Sequence, residues 1–513
     1  MLGAGGGVVY LHVGQCGNQV GDAFWQLADA QCAPPSAASS ATKSRRSRQL
    51  RGQFFHDAAS TARCILVDTE PKVVRAVQRR LKAAHAHTEH AGRGNNWAMG
   101  YNFQQHRRNV VPSKTMAPTT AEHRRALRRG HHGTLAADDL ANDRRELVEL
   151  VMESLRVEIE ALDRYDGSMV MHSLGGGTGA GLGCRLLETM RDTYPRAYLT
   201  TVSIAPSRQS GDTPLQNYNA LFTLQHLQSH ADCVVFKEND ELLRAATRWK
   251  ALRSKTADTR TSGALNGAES PEYQHARVSV QELNWLVASD VAGLVFPLVS
   301  STKEGAKGVD IVTPFKMGQL VHDCCPMPAT KFVDVRTGVL RDSSSKLRTN
   351  ESKSLFHALN PKTPASGDSS DALDSNAAVM RLIRHTTHGL PRQHALAAAA
   401  VIRGFEPETK HRRQLEDSLT AALPTAEWSQ PIAVAYSSAP SFPSLGAGGS
   451  VSLCVNNGHV RASANHFLDR ARRQFDAKAY VHWYRQHGLE DDDFVTAFES
   501  SEQLIAAYDE LLA

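Results

Sequence analysis

Residues 8–13, Val-Val-Tyr-Leu-His-Val, form a β-rich run that leads directly into Gly14-Gln15-Cys16-Gly17-Asn18-Gln19-Val20-Gly21. Beyond that turn, apolar residues recur at helical spacing, with Val20, Phe24 and Leu27 on one stripe. The pattern predicts a strand, a glycine turn and a helix, and the unit repeats. Residues 64–67 read as a second strand ending in Asp68-Thr69-Glu70-Pro71, with a helix over 73–81 and a loop at Gly92-Arg93-Gly94-Asn95-Asn96-Trp97. A helix is expected from Asp138 to about Leu162, capped by Asp138 or Asp139, with Leu147, Val151, Leu155 and Ile159 on its stripe. A strand at 169–172 runs into Ser173-Leu174-Gly175-Gly176-Gly177-Thr178-Gly179-Ala180-Gly181, and a helix over 182–192 follows. Strand 197–204, loop 207–214, helix 215–230 and strand 233–236 continue the alternation. Strands alternating with helices predict a doubly wound parallel sheet. Ligands of such sheets bind at the carboxyl ends of the strands, where every one of these unusual loops falls.

Past Asn239 the pattern weakens. Residues 250–277 are polar, 278–294 read as a buried apolar helix, and 341–376 and 406–447 read as loops or insertions rich in Ser, Pro, Ala and Gly. Residues 462–512 read as two helices joined around Gly488. The chain has 513 residues, 41% of them apolar, enough for real cores and for two to four domains. No apolar run approaches the roughly 20 residues that span a bilayer, and no basic stretch followed by a long apolar one suggests a secretory signal. Eight cysteines without a CxxC pair fit a reduced intracellular chain with neither disulfide framework nor structural zinc.

The net charge of +5 is unevenly placed. Residues 33–53 hold five basic and no acidic side chains, and residues 104–134 hold seven basic and one acidic, which leaves the remainder net acidic. Both segments are poor in large apolar residues, so neither is expected to fold well alone. They read either as solvated mobile insertions or as basic arms that touch something acidic.

The glycine run at 175–181 sits between a strand and a helix. Glycines let the backbone approach a ligand closely, successive N–H groups form an anion nest, and the next helix adds its positive end. Thr178 adds a hydroxyl. No GxxxxGK[ST] sequence occurs, so this is a phosphate cradle of another kind than the P-loop. Gln15 can donate an amide to phosphate. Cys16 is either a small polar wall or a nucleophile, though no His–Asp relay is evident around it. Asp68 and Glu70 suit Mg²⁺, which keeps several waters and takes few protein ligands, or they cap the next helix.

These motifs together resemble the tubulin family. Gly14-Gln15-Cys16-Gly17-Asn18-Gln19, Asp68-Thr69-Glu70-Pro71, Asn95-Asn96-Trp97-Ala98, His172-Ser173-Leu174-Gly175-Gly176-Gly177-Thr178-Gly179 and Ala479-Tyr480-Val481-His482-Trp483-Tyr484 are similar to tubulin signatures and occur in the tubulin order. The resemblance is weak over 340–450. It implies a tubulin-like α/β GTPase fold: a GTP-binding domain at 1–237, a central helix and α+β intermediate domain at 238–455, and a C-terminal helical hairpin at 456–513. It implies GTP or GDP with Mg²⁺ as ligands. By position, Gln15, Cys16, Ser173, Gly175, Gly176, Gly177, Thr178 and Gly179 line the phosphates and Asn95 lies near the γ-phosphate. Asp68 and Glu70 reach Mg²⁺ or its waters, Asp212 lies in the ribose loop, and Asn239 and Asn284 read guanine, since an amide offers both donor and acceptor.

Three positions depart from the family pattern. Val280 stands where tubulins place an aromatic ring on guanine, a stacking contact of about 1–3 kcal/mol in comparable sites. Gln216 replaces the ribose-loop glutamate. Gln319, counted back from Cys325-Pro326-Met327-Pro328, falls where an acid completes hydrolysis in a neighbouring subunit; an amide orients water but is no carboxylate base. Asn217-Tyr218-Asn219 through His230-Ala231-Asp232, Lys237-Glu238-Asn239-Asp240, and Lys478-Ala479-Tyr480-Val481-His482-Trp483-Tyr484 with Glu490-Asp491-Asp492-Asp493-Phe494 after it resemble the δ branch most, with the ε branch as alternative, and the lack of a terminal glutamate run departs from the α and β chains. The resemblance then implies hetero-oligomers with other tubulins or microtubules, in the cytoplasm, cytoskeleton, centriole or basal body, and further the nucleus and cilium. The expected role is building or stabilising triplet microtubules. An assembling GTPase is the other reading; a nucleic-acid binder rests on charge alone and is not favoured, and no membrane role is expected.

Overall fold

The computed structural model describes residues 7–32, 41–56, 61–83, 85–102, 146–209, 211, 213–247, 278–302, 309–341, 383–384, 386–387, 394–405, 409–440 and 447–512. Strand β1 (Gly7–Val13) enters α1 (Gly14–Cys32) without an intervening loop residue. Then come α2 (Ala41–Phe54), the short pair β2 (Phe55–His56) and β3 (Thr61–Ala62), β4 (Cys64–Asp68), α3 (Pro71–Leu81) and β5 (His85–Thr88). α4 (Leu147–Glu160), β6 (Tyr165–Ser173), α5 (Gly183–Thr193), β7 (Tyr198–Ala205), α6 (Gln216–His230) and β8 (Cys233–Glu238) complete the alternating half.

Strands β5, β4, β1, β6, β7 and β8 lie side by side in that order, all parallel. Alternate β1 side chains go to opposite faces, the period-two pattern of a strand buried on both sides. Tyr10 joins the core formed with α1, α3 and α7 (Val280–Val295), whereas Val9, Leu11 and Val13 join the one formed with α4, α5 and α6. The expected α/β sheet with helices on both faces is the one observed.

The second half adds the hairpin β9 (Leu298–Thr302) and β10 (Val309–Thr313), α8 (Met317–Cys324), β11 (Phe332–Arg341), β12 (Ala397–Arg403), α9 (Thr409–Ala422), β13 (Ala433–Ser437) and β14 (Ala447–Asn456). β11 pairs parallel with β8 through Phe332 and Val333, so the sheet continues through β14 and β12 to β13, ten strands in all. Fully buried Arg403 donates to the carbonyls of Gly293, Phe296 and Pro297 at the end of α7, a cation on the negative pole of that helix. α10 (Val460–Asp476), α11 (Val481–Arg485) and α12 (Asp491–Leu512) form the C-terminal layer, with Gly488 at φ +85° in the expected turn.

Three expectations are corrected. The basic segment 33–53 is not a free insertion from residue 41 onward, because α2 forms there and packs on α1. Leu50 and Phe54 are each 2% exposed, and Phe54 meets Phe24 and Phe296 edge-on at 6.3 and 5.3 Å. Burying side chains of this size contributes about 1.5–3 kcal/mol each, which the polar composition concealed. The stretch 406–447 contains α9 and β13, because Leu415 and Leu419, four apart, bury one helical face. The helix expected from Asp138 begins at Leu147; Glu146 precedes it, and the Glu149 carboxylate accepts from the Glu146 N–H at 3.3 Å. Asp138 and Asp139, the basic segment 104–134 and the polar stretch 250–277 lie outside the described residues.

Candidate functional site

The first turn of α1 and the glycine loop after β6 touch. Gly14 has φ +74°, and a Cβ on it would lie 2.8 Å from the Gly179 nitrogen, so only glycine allows this approach. The Asn18 amide donates to Gly14 O at 2.8 Å and Val67 O at 2.9 Å, which ties the β1 turn to the end of β4. Gln15 is exposed and Cys16 half-buried at this junction. Burial of its sulfur pushes the Cys16 thiol up to about 12, which favours the neutral thiol.

Ser173 ends β6, and the Gly175–Gly179 loop follows. A Cβ on Gly177 would stand 2.5 Å from Arg93 O, and one on Gly179 2.8 Å from Ser173 Oγ, while Gly176 meets only Ser173 Oγ at 3.7 Å. Walls press on the loop from two sides and its middle is open, the shape a phosphate cradle needs. Residues 178–182 form a single wide π turn before α5, a distortion often found at functional sites. Buried His172 fastens the loop from below, with Nδ1 bonded to Gly179 O at 3.0 Å and Nε2 to Ser203 Oγ at 2.8 Å. Burial lowers this imidazole to about 4, so it is neutral.

Asp68 closes β4 and is buried, and Oδ1 accepts the Thr69 N–H at 2.8 Å. Burial raises it to about 6, against the hydrogen bonds from the Thr69 and Glu70 N–H groups. Thr69 Oγ1 meets Thr178 Oγ1 at 2.6 Å, which brings the β4 end onto the glycine loop. Glu70 is exposed at the start of α3 and makes no side-chain capping bond there. Asp68 and the two hydroxyls are hard oxygen donors of the kind that suits Mg²⁺, whereas Glu70 Oε1 lies towards Gly92, 2.8 Å from where its Cβ would be.

Asn95 is exposed with φ +50°, on the loop that crosses the glycine cradle. Asn239 opens a helical turn directly after β8, and Asn284 lies near the start of α7; both are half-buried. Lys237 fixes these two elements together: Nζ reaches Asp290 of α7 at 2.8 Å and Asp334 of β11 at 3.2 Å and donates to Val335 O. Val280, at the first position of α7, is 65% exposed. Gln216 is buried and donates to Ser207 O at 3.3 Å. Asp212 lies outside the described residues.

Gln319 is elsewhere. Beside it on α8, Met317 Sδ lies 3.0 Å from where a Gly167 Cβ would be, and Gly318 abuts the Tyr198 ring. Gly167 and Tyr198 are near the amino ends of β6 and β7. A nine-residue strand spans roughly 25–30 Å at about 3.3 Å per residue, so Gln319 sits at the far end of the sheet from the cradle. It is exposed, and its amide donates to Asp323 at 2.7 Å.

The structure thus brings Gln15, Cys16, Asp68, Asn95, Ser173 and Gly175–Gly179 to one edge. Sequence reasoning assigned no role to Thr69, His172, Lys237 or Asn219. Asn219 is a polar side chain at 0% exposure in a helix that also buries Leu221, Phe222 and Leu224, a burial that no local sequence pattern announces.

Comparison with known proteins finds one family. The Tubulin/FtsZ family GTPase domain matches residues 7–110 and 120–247. The chain is 26% identical to the tubulin epsilon chain of Mus musculus, covering 98% of this chain and 95% of that one. It is 24% identical to the tubulin delta chain of Homo sapiens, over 98% and 99%. It is 25% identical to the tubulin beta-1 chain of Chondrus crispus, over 98% and 93%. No helix among the described residues is long and apolar enough to cross a membrane.

Proposed function

The chain belongs to the tubulin superfamily through its GTPase domain, and from that premise we propose that it is a δ-like tubulin that binds GTP chiefly as a structural element. Its role in this reading is the assembly or stability of centriole and basal-body triplet microtubules, in hetero-oligomers with other tubulins. The observation that carries the nucleotide assignment is the meeting of four strand-end loops at one cradle, with the Thr69–Thr178 contact and the Gly14–Gly179 approach holding it closed. In this reading Gly175–Gly179, Ser173, Thr178, Gln15 and Cys16 line the phosphates and Asn95 stands at the third one. Asp212 serves the ribose, and Asn239 and Asn284 read the base. Asp68 and Glu70 hold Mg²⁺ or its waters, and the ion, when bound, neutralises phosphate charge.

The low-turnover part of the reading rests on Gln319, an amide at the end of the sheet remote from the chain's own cradle. Only a nucleotide on a neighbouring chain can meet it, and an amide supplies no carboxylate base. Delta and epsilon relatives match at similar identity, so the ε-like reading stands second. Displacement of a labelled guanine nucleotide by GTP but not ATP is the expected result with the purified chain. Equal competition by ATP would overturn the base assignment. Centriole localisation of the tagged chain, with triplet loss on depletion, is expected; normal triplets after depletion would remove the proposed role.

A further inference from the structure

Asn219 has all four of its side-chain hydrogen-bonding positions filled. Nδ2 donates to Asn95 O at 2.7 Å and to Gly175 O at 2.8 Å. Oδ1 accepts from the Trp97 N–H at 2.9 Å and from the Tyr484 hydroxyl at 2.6 Å. An amide offers two donors and two acceptor sites, and the partners fix which end is nitrogen: two carbonyls need donors, an N–H and a phenol need an acceptor. One buried group therefore joins the loop carrying Asn95, the glycine cradle and the C-terminal layer.

The Asn95 carbonyl belongs to a residue at φ +50°, the left-handed conformation that asparagine adopts more readily than other non-glycine residues. Tyr484 is itself immobilised, at 0% exposure, edge-on to Tyr218 at 5.3 Å and to Phe494 at 5.7 Å. Burial holds its phenol well above the ordinary range, so it remains a donor. Two more bonds run alongside, from Asn96 Nδ2 to Trp483 O at 3.2 Å and from Asn102 Nδ2 to His487 O at 3.0 Å. The segment 95–102 is thus clamped between the cradle and the turn around α11.

We propose that Asn219 is the positioning residue that sets the 95–97 loop against the glycine cradle, and that Tyr484 couples this setting to the C-terminal helical layer. The inference rests on the nucleotide reading above and adds a consequence. The 95–97 loop stands at the third phosphate, so loosening it weakens GTP more than GDP. A residue that only fills the core would weaken both alike.

The test measures GTP and GDP affinities of the purified full chain, for the wild type, Asn219→Ala and Tyr484→Phe. Tyr484→Phe removes one hydroxyl and keeps the ring, so the fold is retained even if Asn219→Ala does not fold. Loss of one such buried bond is expected to lower the GTP-over-GDP preference about three- to tenfold, and more in Asn219→Ala. Faster amide exchange at Trp97 in Asn219→Ala accompanies it. A preference unmoved in folded Tyr484→Phe, with wild-type GTP binding intact, overturns this inference alone. A wild type that binds no guanine nucleotide overturns the nucleotide reading and this inference with it.

Discussion

At the carboxyl ends of β1, β4 and β6 three buried side chains, Asn18, His172 and Asn219, tie the loops to other parts of the chain. Asn18 holds two carbonyls, His172 holds Gly179 and Ser203, and Asn219 holds three segments at once. At the amino ends of β6 and β7, Gln319 stands exposed with its amide on Asp323, four residues along the same helix. A site that must receive a triphosphate through backbone N–H groups gains from having those groups fixed beforehand, since ordering them on binding would cost affinity. On the proposed reading the two ends differ as a preformed pocket differs from a face open to a neighbouring chain.

The strongest attack on the preformed end is Lys237→Met. Lys237 is buried between Asp290 and Asp334, and its loss leaves Asp290 without its cation. Breaking a buried pair by removing one partner costs about 3–5 kcal/mol. The urea midpoint should fall accordingly, and guanine-over-adenine selectivity with it, because α7 carries Asn284 and β8 leads into Asn239. A midpoint near wild type would mean that this end is not rigidified as described.

Acid is the next lever. Burial holds His172 at about 4 against a usual 6.5, although bonds at Gly179 and Ser173 oppose the shift. Between those values the unfolded chain binds the proton and the folded chain does not. Stability is therefore whole above 6.5 and is lost as pH falls towards 4, by up to about 1.4 kcal/mol per pH unit for this group. Buried His12 and half-buried His87, at about 3 and about 4, act in the same direction. Denaturant midpoints at descending pH should show the slope, and His172→Gln should flatten it. An unchanged slope in that variant would place the acid sensitivity elsewhere.

The alternation of strands, glycine turns and helices was legible along residues 7–238 because two periodicities meet at each turn. The same turns mark Gln15 and Gly175–Gly179 as candidates, whereas Ser173 follows only from the family resemblance. The staples could not. Asn219 meets Asn95 across 124 residues and Tyr484 across 265, and no local pattern carries such a pairing. The helices α2 and α9 were hidden for a different reason. Each buries two apolar side chains four residues apart, Leu50 with Phe54 and Leu415 with Leu419, inside composition that otherwise reads as solvated. Tertiary burial, not propensity, makes those segments helical.

Gly14→Ala probes the contact between the two phosphate loops. The new Cβ would sit 2.8 Å from the Gly179 nitrogen in a backbone with φ +74°. The neighbour is backbone and cannot swing away, so strain and displacement together should cost about 2 kcal/mol, with a larger proportional loss of nucleotide retention. Full retention at wild-type stability would show that the loops are not in register through this residue.

Gln319→Ala should do least to the isolated chain and most to the comparison. The side chain is exposed and its one bond lies within its own helix, so stability should move by less than about 0.5 kcal/mol. Affinity for GTP should not change, since the cradle is at the other end of the strands. What remains is the effect on a partner. If Gln319 only orients water for a neighbour's nucleotide, turnover in mixtures with other tubulins should be slow and should fall only a few-fold in the variant. Gln319→Glu, which supplies the missing carboxylate, should raise it. A rise in the mixture with none in the chain alone would place the amino end at the interface between subunits. Equal turnover by wild type, Gln319→Ala and Gln319→Glu in the mixture would show that no neighbouring nucleotide meets this face, and the contrast between the two ends would lose its functional meaning.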